Sequence, residues 1–321
     1  MAIRCRPMRS KDVGPCVDII ARHPFIGPRY GTTLANLAPV WLSLLGCEAF
    51  RAYVYEELQG SPPRLIGIGC SAIITDDFLR EAKTPPFFWI GAELTRRIHR
   101  GQSPLLSDRQ VREANSDGGI NVTVWDGAVS VADMHRPEVS YSFLSTFIQL
   151  HRGFLLKEIV GQGSTDDTLA AVLRAGYLYI SGTDGRYTET IDKPPHELIR
   201  EPHMTGLSRD LAPARIGTWA STLFIYQPPR FGFTPSEQRL LLAALLGGTD
   251  EELADELGIS LSAVKKAWHS IYERVSACDP DLTPPVAPAE EGSAERGRMK
   301  KQRLIVYLRD HPEELRPARE N

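Results

Sequence analysis

The stretch LLKEIVGQGSTDDTLAAVLRAGYLY, residues 155–179, decides the fold of the first two thirds of the chain. It opens with the apolar run 155–160, which has the pattern of a β-strand, and continues with apolar residues at helical spacing over 166–174. Gly176 follows, the residue type that ends many helices in a left-handed conformation, and residues 177–180 read as a second strand. This strand–helix–strand alternation favours a β-sheet with helices packed on it.

The residues that precede this stretch carry further strand and helix patterns. Asp126–Gly127 is a strong local signal for a hairpin turn between two strands. We therefore predict an α+β domain with a mixed sheet over residues 1–195. The predicted strands are 3–8, 50–56, 65–74, 120–125 and 128–132, and the predicted helices are 12–22, 33–45 and 141–151.

Length and composition restrict the class of protein. A chain of 321 residues suggests two domains, and 42% hydrophobic with 24% charged residues excludes a disordered, collagenous or coiled-coil protein. No apolar run approaches the roughly 20 residues that span a bilayer, and no apolar segment follows the basic residues 1–10, so we predict a cytoplasmic protein without a membrane partner. The five cysteines form no C-x-x-C pair, which argues against a metal site and against a disulfide framework.

The rest of the chain divides into three further segments. Residues 196–230 are rich in proline and read as an irregular connector. Residues 231–278 have helical spacing throughout and are predicted to form an all-α domain of three to four helices. Residues 279–321 combine a Pro/Ala/Glu-rich linker with a C-terminal amphipathic helix.

Three helix starts can be identified in the all-α segment. Thr234 and Thr249 each have a glutamate three residues later, which is the pattern of a capping box, and Ser260 is a third N-cap. Glycines at 247–248 and at Gly258 end the first two helices. The turn between the second and third helices is so short that we predict a helix-turn-helix arrangement.

Residues 233–275 resemble the LuxR-type DNA-binding domain, in the T-P-x-E opening and the G-I-S-x-x-x-V-K register. The resemblance implies that the third helix enters the major groove and that Lys265 contacts DNA. The short fourth helix that often pairs subunits in that family is replaced here by residues 278–285 and the linker, which leaves the dimer mode open. The predicted DNA contacts are the polar and basic residues Ser260, Ser262, Lys265, Lys266, His269 and Arg274.

The first domain resembles the GNAT N-acetyltransferases at its two ends, in IRCRPMRSKD (residues 3–12) and in residues 155–179. Activity in that family implies a glycine-rich loop that holds the cofactor pyrophosphate and, frequently, a tyrosine as general acid. Residues 133–140 have no glycine, Pro137 removes a donor, and Val172 stands in the place of the tyrosine. These departures predict a GNAT-like domain that is not an enzyme and has no cofactor.

The preferred interpretation is a DNA-binding transcriptional regulator. Its partner would be double-stranded DNA. The net charge of −3 argues against such a partner when the chain is taken as a whole, but the lysines and the acidic residues lie on different helices, so the predicted DNA-binding face stays basic. The first domain would bind a small-molecule effector or form a homodimer. Two alternatives stay open: a GNAT-type N-acetyltransferase with a helical targeting domain, and a non-catalytic interaction scaffold.

Overall fold

The structure is a computed structural model that describes residues 3–59, 62–245, 247–282 and 293–319, with side chains in the last range from Met299 onward. The chain forms two compact units, Met1–Ile225 and Tyr226–Asn321. In the part of the chain so described, no helix is both long and apolar enough to traverse a lipid bilayer.

The first unit contains eight strands and nine α-helices within the described residues. The strands are β1 (Ile3–Pro7), β2 (Phe50–Glu57), β3 (Arg64–Ile74), β4 (Ile120–Val129), β5 (Leu156–Gly161), β6 (Leu178–Ile180), β7 (Tyr187–Thr188) and β8 (Met204–Ser208). The helices are α1 (Ser10–Arg22), α2 (Gly27–Tyr30), α3 (Leu37–Leu44), α4 (Asp76–Ala82), α5 (Ile90–His99), α6 (Asp108–Ser116), α7 (Pro137–His151), α8 (Asp166–Arg174) and α9 (Pro195–Leu198).

All eight strands belong to one sheet, in the order β1-β2-β3-β4-β5-β8-β6-β7. Every neighbouring pair is antiparallel except β4 and β5, which are parallel. Pairing of β4 with β5 ends at Thr123 and Val160, whereas β4 continues to Val129 beside β3. The sheet therefore opens between β4 and β5 halfway along β4.

A β-bulge at Trp125 reverses the faces of β4. Ile120 and Val122 pack in the cluster that includes residues of α6 and α7, as even-numbered residues of a strand should share one face. The register with β3 shifts at Trp125, and beyond it the even-numbered Ala128 packs in the opposite cluster, with residues of α1, α3 and α5. Because one extra residue exchanges the two faces of a strand, Asp126 also turns to the side of α2 and α5.

The predicted hairpin turn at Asp126–Gly127 is wrong. β4 runs through both residues because β3 pairs with them without interruption, Cys70 opposite Asp126 and Gly69 opposite Gly127.

The predicted connector contains regular structure and differs in its bounds. β8 lies in it and inserts between β5 and β6, where its backbone pairs with residues 158–161 of β5 and with all of β6. The backbone N–H and C=O groups at the edge of β5 therefore find their hydrogen-bond partners in a segment more than 40 residues further along the chain. The first unit accordingly extends to Ile225, beyond the predicted end at residue 195. The predicted helix 33–45 is divided into a 3₁₀ turn, Gly31–Asn36, and α3.

The second unit has the helices α10 (Pro235–Leu245), α11 (Asp250–Leu257), α12 (Leu261–Cys278) and α13 (Ser293–Asp310). Its local signals agree with the structure: Glu237 accepts from the Thr234 amide at 2.8 Å, and Glu252 accepts from the Thr249 amide at 2.7 Å. Ser260 caps α12, and Gly258 ends α11 with a φ of 65°. Residues 283–292 of the predicted linker lie outside the described residues. The described end of α13 shares one core with α10, α11 and α12.

Candidate active site

A cleft lies on the face of the sheet to which Asp126 turns. It holds about 340 Å³ of empty space, part of it open to solvent. Its walls come from four places: the α1–α2 region, the first turn of α5, the bulged part of β4 and the turn after β5. The lining residues are Ile26, Arg29, Tyr30, Trp89, Gly91, Ala92, Trp125, Asp126, Gly127, Gln162 and Ser164.

Asp126 is the acidic group of the cleft. Its side chain is buried, and the hydroxyl of Tyr30 donates a hydrogen bond to Oδ2. Burial raises the pKa of Asp126 to about 7, against the lowering effects of the Tyr30 hydrogen bond and the charge of Arg29. The carboxyl group therefore exchanges a proton near neutral pH, which is the property required of a general base.

Gly91 makes the Tyr30–Asp126 contact possible. A Cβ atom at this position of α5 would lie 2.5 Å from the Tyr30 hydroxyl oxygen and 3.0 Å from Asp126 Oδ2. Burial, first, and then the neighbouring carboxylate raise the pKa of Tyr30, so its hydroxyl stays protonated and donates. The first turn of α5 thus closes over the hydrogen bond at van der Waals distance.

Arg29 is the basic group of the cleft. Its guanidinium lies 4.0 Å over the ring of Trp89, and Nη2 donates to the carbonyls of Gly163 (2.7 Å) and Ile199 (3.1 Å). Burial lowers its pKa to about 10, so it stays charged at neutral pH. Nε is buried and has no acceptor among the described residues. The guanidinium of Arg29 is thus only partly hydrogen-bonded within the described residues.

Gln162 and His203 hold the turn after β5 against α5. Gln162 donates from Nε2 to the carbonyls of Phe88 (2.9 Å) and His203 (2.7 Å), and its Oε1 accepts from the Ile90 amide (2.9 Å). His203 Nε2 accepts from the Gly163 amide (2.9 Å), and Nδ1 lies 3.0 Å from the Glu201 carbonyl. These partners assign the proton of His203 to Nδ1, and burial lowers the pKa of His203 to about 4. The wall is built from neutral groups.

The loop between β4 and α7 stands where the resemblance to the GNAT family places the pyrophosphate. Its buried Asp133 pairs with Arg64 at 2.7 Å and with Arg136 at 2.6 Å, and Glu57 pairs with the same two arginines. Hydrogen bonds, that from Arg64 first, hold the pKa of Asp133 well below its usual range. Two carboxylates cancel two guanidinium charges, and Pro137 at the first helical position offers no N–H. These residues do not fit a pyrophosphate cradle.

The six residues predicted to contact DNA lie on α12 and its cap. Ser260, Ser262, Lys265, Lys266 and His269 are exposed. His269 lies 3.2 Å from Glu273, whereas the half-buried Arg274 turns to Glu237 of α10, also at 3.2 Å. The structure thus separates Arg274 from the other five residues. The assignment of DNA contacts to them stays a prediction.

Three solved structures illustrate what the chain is similar to. A histone acetyltransferase and related acetyltransferase from Corynebacterium glutamicum shares 13% identity at a TM-score of 0.37, covering 64% of this chain and 95% of its own. An aminoglycoside acetyltransferase in complex with coenzyme A shares 13% identity at 0.35, covering 66% and 98%. A mosquito arylalkylamine N-acetyltransferase-like protein shares 16% identity at 0.34, covering 64% and 100%. No protein-family model and no curated protein matches the chain.

These findings correct part of the sequence interpretation. The mixed sheet with its helices resembles the GNAT fold, as predicted. The prediction of a DNA-binding transcriptional regulator of LuxR type is wrong, because the similar structures are acetyltransferases and nothing supports the regulator. The prediction that the chain is not an enzyme is wrong for the same reason. At 10–16% identity and TM-scores below 0.4, the similarity does not identify a substrate, which must be inferred from the cleft itself.

Proposed function

We propose that the first unit is an acyltransferase that transfers an acyl group from a thioester to an amine, with Asp126 as general base. The observation that carries the proposal is the position of Asp126, a buried carboxyl in a cleft beside the point where β4 and β5 separate. Because its pKa is about 7, the carboxyl group of Asp126 is ionised in a large fraction of the molecules at neutral pH and can accept a proton there.

The reaction requires no second acid or base from the protein. The amine nitrogen attacks the thioester carbonyl and forms the C–N bond, its proton passes to Asp126, and the C–S bond breaks. A thiol has a pKa near 8.5, so the thiolate leaves readily and takes its proton from water, while Asp126 returns the proton of the amine to water and becomes a carboxylate again. This route is consistent with Val172 in the place of the family's tyrosine, because it needs no protein acid.

Tyr30 is a positioning residue in this proposal. Its hydroxyl fixes Oδ2 of Asp126, and no hydrogen bond from the described residues occupies Oδ1. Gly91 keeps the hydroxyl in place, since any larger side chain would displace it.

The acyl donor is a substrate of the proposed reaction. Its thioester arm fits the edge of β4, whereas a pyrophosphate at its other end does not fit the loop at Asp133. Beyond Thr123, β4 has no β5 partner, and backbone groups along this edge suit an extended thioester arm that pairs like a strand. The loop at Asp133 does not suit a pyrophosphate. The cleft would therefore hold the donor by its thioester arm.

The test compares Asp126→Asn with wild type in transfer from acetyl-coenzyme A and from the shorter acetyl-pantetheine to a panel of amines. The variant should lose about 10²- to 10⁴-fold in kcat, the usual contribution of a general base. Asp77→Asn, a change of an exposed aspartate, is the matched control and should behave as wild type. Equal activity of Asp126→Asn and wild type would exclude Asp126 as the base.

A further inference from the structure

Two opposite charges face the same cleft without neutralising each other. Arg29 and Asp126 both line it, and each influences the charge state of the other. They nevertheless form no ion pair within 4.0 Å; Arg29 donates to two carbonyl groups, and Asp126 accepts from Tyr30. The cleft therefore presents one positive and one negative group at separate positions.

The half-buried guanidinium of Arg29 is incompletely hydrogen-bonded. Nη2 makes both of the hydrogen bonds of Arg29, whereas Nε is buried with no acceptor in the described part of the chain. An unpaired donor of a charged group is unfavourable, and the charge of the guanidinium stays available to an anion in the cleft. A carboxylate matches a guanidinium in charge and in planar geometry.

We propose that the acceptor substrate is a small zwitterion, a molecule of the amino acid class, whose carboxylate binds Arg29 and whose amine lies against Asp126. This inference rests on the proposed function, because it uses the same cleft. The ammonium group of the zwitterion first loses a proton to water, and the neutral amine directed to Asp126 is the nucleophile that the reaction needs. The Arg29–carboxylate contact fixes its orientation.

The contacts that hold Arg29 in place agree with this assignment. Trp89 lies under the guanidinium and stiffens it, so the arginine is already oriented when the ligand arrives. Gly163 and Ile199 fix it from two sides through their carbonyls. A preorganised cation of this kind discriminates strongly between a carboxylate and its amide, since the amide leaves the charge without a counterion.

The decisive experiment needs only the full-length wild-type chain and matched ligands. Acetyl transfer from acetyl-pantetheine is measured for the common amino acids, for their α-amides and for the corresponding simple amines, and binding of the same ligands is measured by calorimetry. We expect at least one free amino acid to be preferred over its amide by about tenfold or more in kcat/KM and in affinity. Amides or simple amines used as well as every free acid would overturn the inference and leave acyl transfer standing.

The variant Arg29→Gln removes the charge of Arg29, and Arg29→Lys keeps a positive charge at the same position. Comparing the two separates loss of the charge from local unfolding of the cleft wall. The preference for acid over amide should fall toward one in Arg29→Gln and be partly kept in Arg29→Lys. A preference unchanged in Arg29→Gln would contradict the assigned contact. Binding of amino acids without transfer to any amine would refute the proposed function and support the ligand class, whereas absence of any zwitterion binding would refute the ligand class.

Discussion

The hydroxyl of Tyr30 donates a hydrogen bond to the buried carboxyl of Asp126, 96 residues further along the chain. The contact joins α2 to the bulged part of β4, and it exists because the bulge at Trp125 exchanges the faces of the strand. Without the extra residue, Asp126 would point into the apolar cluster on the other side of the sheet. The site therefore depends on one irregularity in one strand.

Gly91→Ala should damage this contact directly. The new Cβ would stand 2.5 Å from the Tyr30 hydroxyl oxygen, and the cost of such overpacking is about 1–3 kcal/mol. We expect lower stability in urea unfolding and reduced acyl transfer. Gly14→Ala is the matched control, since no atom lies within 4 Å of its Cβ position in α1, and it should stabilise the chain slightly.

Asp126→Asn should stabilise the chain at alkaline pH. The folded-state pKa of Asp126 is about 7 and its ordinary value is 3.8, so the folded protein holds a proton that the unfolded chain has lost. Stability from this group accordingly falls as pH rises from about 4 to 7 and then stays constant. The gain in unfolding free energy from Asp126→Asn should be up to about 3 kcal/mol larger at pH 8 than at pH 5. A gain independent of pH would contradict the raised pKa.

His203→Gln should reduce the sensitivity of the fold to acid. Burial lowers the pKa of His203 to about 4 from 6.5, so the unfolded chain binds a proton that the folded protein rejects. This contribution is present above pH 6.5 and is lost as pH falls toward 4, by about 2 kcal/mol between pH 7 and pH 5. Glutamine keeps an acceptor for the Gly163 amide without titrating. In denaturant unfolding at the two pH values, the loss should shrink in His203→Gln and persist in the exposed control His99→Gln.

The loop at Asp133 leads to a prediction about the acyl donor. Since Arg64 and Arg136 are already neutralised by Asp133 and Glu57, a pyrophosphate gains little there. The KM for acetyl-pantetheine should lie within about tenfold of that for acetyl-coenzyme A, a difference of about 1.4 kcal/mol. A much larger advantage of the full donor would show that another surface holds its phosphates.

The helix ends of the second unit were predictable, whereas a function for it was not. Thr234, Thr249 and Ser260 satisfy amides three residues away, so their chemistry is local and visible in the sequence. Such caps specify where helices begin and say nothing about what a helix binds. The regulator interpretation failed because it took a local pattern as a functional assignment.

The active-site residues could not be predicted for the opposite reason. Asp126 was interpreted as part of a hairpin turn, because Asp-Gly is a local turn signal, whereas pairing with β3 decides the outcome. β8 was missed because its strand pairs with β5, and that partner is distant in sequence. Arg29 and Tyr30 belong to no motif, and only the folded chain brings them to Asp126. An Asp-Gly pair inside a longer apolar run was the signal available for a bulged strand.

The pH dependence of kcat/KM for acyl transfer by the wild-type chain tests the role of Asp126 most directly. If Asp126 must be ionised to accept the proton, kcat/KM should rise about tenfold per pH unit below pH 7 and level off above it, once corrected for ionisation of the amine. Asp126→Asn should have low activity without that rise. A corrected profile that is flat from pH 5 to pH 8, or the same rise in Asp126→Asn, would contradict the account.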